Sequence, residues 1–287
     1  MSDRKPRAVV LGTAQDGGFP HAGCRCERCA RARIHRNLSR RIACLGLLDG
    51  DGKGYLVDAT PDLPEQIEAL PDLAGLLLTH AHMGHIAGLL WLGKEAMAVS
   101  GLPLFGGRRL VEFLSEHEPW ASLIREGRLV PEIIEPACEV ELGAGLIMTP
   151  VPVPHRAEWS ETFGLRIAGP SRTLLWLPDI DRFEAGALSA LLDGVDDALI
   201  DGTFLSPEEL PGRDLSKIPH PFMEETIDRL AALRPAARIS FVHLNHSNPL
   251  ILADSDESRD FEARFREAGL TPATRSPVAT DGETLAL

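Results

Sequence analysis

Short apolar runs alternate with amphipathic stretches along the whole chain. Runs rich in Val, Ile and Leu recur at 8–11, 42–48, 55–57, 76–78, 146–153, 163–167, 173–177, 198–200 and 239–244. Runs of this length bounded by turn residues predict β-strands. The later ones are continuous rather than alternating, as expected of strands covered on both faces. The turn compositions at 49–54 and 169–172 predict hairpins, so antiparallel pairing is part of the sheet. Apolar positions three or four apart predict helices over 63–70, 86–97, 108–116, 183–192, 222–233 and 261–268. Because strands and helices intermix from end to end, the expected architecture is one mixed α/β domain over 1–287, with sheets between helix layers. Two stretches, 12–37 and 202–221, are polar and rich in Gly and Pro; they predict long loops, which usually carry function.

Composition narrows the possible partners. Of the 287 residues 44% are hydrophobic and 25% charged, ordinary for a folded protein. The net charge of −13 repels nucleic acid and anionic membranes on average. No apolar run approaches the roughly 20 residues of a membrane span, and the polar start has no signal-peptide core. The expectations are a cytoplasmic location and a small-molecule substrate, with neither nucleic acid nor membrane as partner and a homodimer left open.

Candidate chemistry concentrates at strand ends. Three of the ten histidines fall in His80-x-His82-x-x-His85, directly after the apolar run ending at Leu78. Neutral imidazole is the commonest metal ligand, and a strand-to-helix loop can aim several side chains at one point; solvated histidines are the alternative. Further ligands stand at comparable places: His155 after the run 146–153, Asp179 after 173–177, and His243 within 239–244. Three of five cysteines crowd into Cys24-x-Cys26-x-x-Cys29, too close to pair comfortably as disulfides. They can converge on one zinc if a fourth ligand arrives, act as a redox pair through Cys26 and Cys29, or stay unligated. Cys44 and Cys138 read as ordinary packing, and His21, His35 and His117 as surface residues.

These residues resemble the metallo-β-lactamase superfamily, which implies an αββα four-layer sandwich of two mixed sheets with a metal site at one edge. Within it the chain is similar to the pyrroloquinoline quinone biosynthesis protein B family, through Gly17-Gly18-Phe19-Pro20, the cysteine cluster, 58–62, 201–204, Gly212-Arg213, Ile218-Pro219 and 248–252. It also resembles the cyclic phosphodiesterases of phosphonate degradation. The resemblance implies a first metal on His80, His82 and His155, a bridging Asp179, and a second metal on His85 and His243. The usual motif carries Asp where this chain has Gly84, which implies a second site that is partial or empty. In the quinone-biosynthesis family the positions of His80 and His82 are commonly not histidine, so the likeness there is of scaffold more than of metal centre. Cys24, Cys26 and Cys29 match a structural zinc knuckle whose fourth ligand, by its spacing from His243, is His246.

A cation on imidazoles and one carboxylate brings a bound water toward ionisation near neutral pH. The expected activity is therefore hydrolysis of a small phosphodiester, ester or amide. Zinc, manganese or iron suit the active-site donors alike, and zinc suits the knuckle. Catalytic roles are expected of Asp58, Asp179, Asp201 and His220. Asp58 would orient a ligand such as His80 or serve only as a turn residue; Asp201 would stand behind the ligands or touch substrate. His220 with Arg213 and Lys217 would form an anion-binding lid or be solvated charge. Two rival readings use the same scaffold: an iron-dependent oxidative step in peptide-derived cofactor biosynthesis, and a non-catalytic small-ligand carrier.

Overall fold

In the computed structural model, which describes residues 5–287, each of the nine apolar runs lies on a strand. The strands are β1 (Arg7–Gly12), β2 (Cys44–Leu48), β3 (Gly54–Val57), β4 (Leu73–Leu77), β5 (Leu102–Gly106), β6 (Leu129–Ile133), β7 (Val140–Gly143), β8 (Leu146–Pro152), β9 (Phe163–Ala168), β10 (Thr173–Leu177), β11 (Asp197–Asp201), β12 (Arg238–Val242) and β13 (Thr284–Ala286). One sheet has the order β13-β1-β2-β3-β4-β5-β6, the other β12-β11-β10-β9-β8-β7. Both are mixed: β2–β3 and β9–β10 are the hairpins expected at 49–54 and 169–172, whereas β3–β4–β5–β6 and β10–β11–β12 run parallel.

The helices are α1 (Glu27–Ile34), α2 (Leu63–Gln66), α3 (Met83–Ile86), α4 (Arg108–Glu116), α5 (Trp120–Arg125), α6 (Ala187–Leu192), α7 (Met223–Leu233) and α8 (Asp256–Glu267). The two sheets face each other across Leu45, Leu77, Leu165, Trp176 and Leu199. Helices α6, α7 and α8 cover the outer face of the second sheet against Leu175, Leu177, Ile200 and Phe241, and α4 with α5 covers the first against Leu76, Leu78 and Leu104. Neighbours such as Leu174 and Leu175 therefore point into different layers, which is why the later strands read as unbroken apolar runs. The four layers are the expected αββα sandwich.

Departures have local causes. The expected loop 12–37 contains α1, hidden because it buries only Cys29 and Ala32 beneath a charged surface. The helix expected over 86–97 is α3 followed by a 3-10 turn over Ala87–Leu92. The helix expected from 261 starts at Asp256, where Ser255 caps it by accepting from the Ser258 N–H. Pro103 and Pro131 masked β5 and β6, and β7 and β13 are short. Cys44 is buried as expected, but Cys138 is exposed. No helix is long and apolar enough to cross a membrane among the described residues, which leave out Met1 to Arg4 at the polar start. Leu199 is fully buried between the sheets, so Leu199→Ala should lower stability by about 2–5 kcal/mol in chemical denaturation.

Candidate metal centre

Every element that supplies a donor ends at the same rim of the sandwich. His80, His82 and His85 follow β4, with His82 at the N-terminus of α3; His155 follows β8, Asp179 follows β10, and His243 follows β12. The strands stop there because the chain must leave the sheet, and buried polar side chains replace apolar ones. All six residues predicted as active-site ligands meet. The donor atoms of His80, His82 and His155 lie within 4.8 Å of one another, as do those of His80, His85 and Asp179. His80 Nε2 and His82 Nδ1 are 2.9 Å apart. Asp179 stands at the centre, with Oδ2 3.2 Å from His85 Nε2 and Oδ1 3.6 and 3.5 Å from His155 and His243 Nε2.

The far nitrogens are held from behind. Buried Asp58 accepts from Thr79 N at 2.8 Å and Thr79 Oγ1 at 3.0 Å, and its Oδ2 lies 2.8 Å from His85 Nδ1. Its direct partner is thus His85 and not His80, which it reaches through Thr79 Oγ1, 3.0 Å from His80 Nδ1. His155 Nδ1 is 3.0 Å from Asp181, and His243 Nδ1 3.0 Å from Thr203 Oγ1. Asp201 is fully buried, accepts from Ile180 N and Thr203 N, and lies 2.7 Å from His220 Nδ1. Asp58 and Asp201 thus each stand behind a histidine, His85 and His220. Orienting the second ring nitrogen in this way fixes tautomer and aim. Asp58 and His243 have left-handed backbones, φ 66° and 64°, a strain of roughly 1–3 kcal/mol each that the surrounding packing offsets.

His220 does reach the cluster: its donor atom joins those of Asp179 and His243 within 4.8 Å. Arg213 and Lys217 are exposed, and Lys217 pairs with Asp214 at 3.3 Å, which matches the solvated-charge alternative for these two.

Sequence reasoning missed Asp16, Thr79, Asp181 and Thr203. Asp16 lies on the loop after β1, with Oδ1 3.4 Å from His85 Nε2 and 3.5 Å from His243 Nε2. A Cβ on Gly84 would fall 2.3 Å from that oxygen. The Asp16 carboxylate thus stands, from another loop, beside the position that Gly84 leaves bare. A cleft of about 730 Å3 runs from Asp16 and Met83 past Phe19 and Ile42 to Arg36 and Arg41.

The donor chemistry fits a divalent first-row metal. His85 Nε2, His243 Nε2, Asp179 Oδ2 and Asp16 Oδ1 are buried and have no hydrogen-bond partner, an arrangement that is costly unless a cation meets them. Burial presses the His85 pKa down, but Asp58, Asp179 and Asp16 outweigh it and hold it well above the ordinary value. Burial would raise the Asp179 carboxyl, yet His243, His85 and His155 hold it well below the usual range. Burial keeps His80 and His155 neutral, as ligands must be.

Cys24, Cys26 and Cys29 form a second cluster with His246, as expected. Their Sγ atoms lie 3.5, 3.9 and 3.8 Å from His246 Nδ1, close to the roughly 3.6 Å edge of a tetrahedral zinc shell. No disulfide forms. Burial raises the Cys29 thiol to about 12, so a metal here must displace its proton. His21, expected at the surface, packs on the His246 ring with centroids 4.4 Å apart.

Residues 54–244 match the family model described as Beta-lactamase superfamily domain. Coenzyme PQQ synthesis protein B of Methylobacterium radiotolerans is 30% identical, the match covering 98% of this chain and 100% of the relative. The crystal structure of Zn(2+)-bound PqqB from Methylobacterium extorquens superposes with TM-score 0.82 at 26% identity, over 98% of this chain and 100% of that one. A diphosphatase from the PhnP family shares the fold, with TM-score 0.70 at 22% identity over 99% and 98%.

Cys26→Ser should remove the knuckle's metal and lower the melting temperature while the histidine cluster keeps its own; unchanged metal content by elemental analysis would contradict this. Because carboxylates hold a proton on His85 that a metal must displace, metal affinity at the histidine cluster should rise between about pH 6 and about pH 8, with proton release in calorimetry. Affinity that falls over that range would contradict it.

Proposed function

The chain belongs to the β-lactamase superfamily, and from that membership and its clustered donors we propose that it is a metal-dependent hydrolase of a small phosphodiester or related ester or amide. The observation that carries the reading is the junction at Asp179. One buried carboxylate there faces the histidines of two ligand groups, His80/His82/His155 on one side and His85/His243 on the other. When bound at such donors, a divalent cation supplies a Lewis acid for a phosphoryl or carbonyl oxygen and lowers the pKa of water.

The chain's own residues supply the rest. Asp58, Asp181 and Thr203 fix the ligand imidazoles so that no reorientation is needed during reaction. Burial pushes the His220 pKa down, but Asp201 and Asp179 reverse this and keep it raised, which favours the protonated imidazole beside the cluster. That group donates a proton to the leaving oxygen or balances its charge. Exposed Trp159, with its ring 5.9 Å from that of His82, gives a wall for an apolar or planar moiety.

Zinc is the metal we assign to the knuckle, and zinc, manganese or iron to the histidine cluster. The full-length likeness to coenzyme PQQ synthesis protein B favours a second reading, an oxidative step in the making of that or a related cofactor with iron at the same donors. The metal and the reaction separate the two. Purified protein loaded with zinc or manganese should hydrolyse bis-p-nitrophenyl phosphate, and His82→Ala or Asp179→Asn should cut kcat/KM at least about a hundredfold. Oxygen-dependent turnover with iron and no hydrolysis with any metal would overturn the hydrolase in favour of the second reading.

A further inference from the structure

We propose that Asp16 is a ligand of a second divalent cation, held together with His85, His243 and Asp179, and that Gly84 is the residue that leaves room for it. The inference rests on the metal-dependent reading above and adds a ligand from a loop that the histidine motif does not include.

Asp16 Oδ1, His85 Nε2, His243 Nε2 and Asp179 Oδ2 form one buried group, and none of the four atoms makes a hydrogen bond. The two histidine nitrogens stand 3.4 and 3.5 Å from Asp16 Oδ1, and His85 Nε2 is 3.2 Å from Asp179 Oδ2. Ligand atoms about 2.0–2.2 Å from one cation are spaced at roughly 3 to 3.5 Å. An ordinary ion pair explains the group less well. The Nδ1 atoms of His85 and His243 are already engaged with Asp58 and Thr203, and the inward Nε2 atoms approach carboxylates without the alignment of a hydrogen bond. Two carboxylates and two imidazoles offer a dication anionic and neutral donors, with Asp179 shared between the two groups.

The loop that carries Asp16 is built to hold this position. Gln15 N donates to Leu244 O at 2.9 Å and Leu244 N to Thr13 O at 2.9 Å, which ties the loop to the residue after His243. Gly18, at φ 65°, closes the turn through a 2.7 Å bond from its N–H to Gln15 O. Across the gap, a Cβ on Gly84 would lie 2.3 Å from Asp16 Oδ1, 2.7 Å from its Cγ and 2.9 Å from its Cα. A side chain at 84 and the carboxylate of Asp16 therefore exclude each other. The sequence places a carboxylate at one of the two positions and a glycine at the other.

The test is metal binding, independent of turnover. Wild-type protein, stripped and reloaded with Zn2+ or Mn2+ and read by elemental analysis and calorimetry, should take up two equivalents beyond the one at the cysteine knuckle. Asp16→Ala and the near-isosteric Asp16→Asn should keep the first of these and weaken the second at least about tenfold, with an unchanged melting temperature of the stripped form. Gly84→Ala, whose Cβ would fall 2.3 Å from Asp16 Oδ1 and 2.9 Å from its Cα, should weaken the second equivalent as well. A second equivalent bound as tightly by both Asp16 variants as by wild type would overturn the inference. So would a wild type that takes up only one at the histidines, and a Gly84→Ala variant that binds the second equivalent as tightly as wild type would overturn the role of Gly84. Wild-type protein that binds metal at the knuckle and none at the histidines would instead bring down the metal-dependent reading itself.

Discussion

A carboxylate buried away from water persists only if positive charge or hydrogen-bond donors surround it; imidazoles from three separate strand ends converge on Asp179, yet its Oδ2 makes no hydrogen bond, which leaves a place for a cation among them. Much of the architecture follows from this requirement. The parallel β10–β11–β12 set ends Asp179, Asp201 and His243 at one rim, and β4 and β8 bring the remaining histidines to the same edge. Each imidazole has one nitrogen turned toward the cluster and most have the other engaged behind it, by Asp58, Asp181 or Thr203. Buried polar groups of this kind are costly unless satisfied, so they are a burden on stability that a bound cation would relieve.

The two donor clusters share one piece of backbone. His243 and His246 stand on the same loop after β12, and the cysteines stand on the loop after β1 that also carries Asp16. Ala14 bridges both Ile42 and Leu244, so the two loops are joined at the rim as well as through the cysteine knuckle. A metal in the knuckle would fasten the ends of these two irregular segments in addition to the buried Ala14, Phe19, Leu244 and Leu250 that already anchor them in the core. The rim of the sandwich would thereby gain rigidity where its donors stand on loops.

The strands and the ligand histidines were legible because their signals are local: apolar runs with turn residues, and His80, His82 and His85 crowded after one run. Helix α1 was illegible because it buries two small residues among charges, and β5 and β6 because proline interrupts their pattern. The direct partner of Asp58 was misread, since whether it meets His80 or His85 depends on how α3 turns after β4, a tertiary fact. Asp16 left two faint traces, the glycine where a motif carboxylate is usual and an acid followed by Gly17-Gly18 after the first strand. Neither says that 16 and 84 meet, because the loop pairing at Ala14 that brings them together spans more than two hundred residues to Leu244. Thr79, Asp181 and Thr203 have no sequence signal at all, since their role lies only in which nitrogen they face.

The most direct test of the central claim is anomalous diffraction from crystals of the protein loaded with zinc, collected at the metal edge, with the knuckle as an internal reference. The account predicts strong peaks inside the histidine cluster, within bonding distance of His80, His82 and His155 and of Asp179, in addition to the one among Cys24, Cys26, Cys29 and His246. A peak at the knuckle with none among the histidines would contradict it.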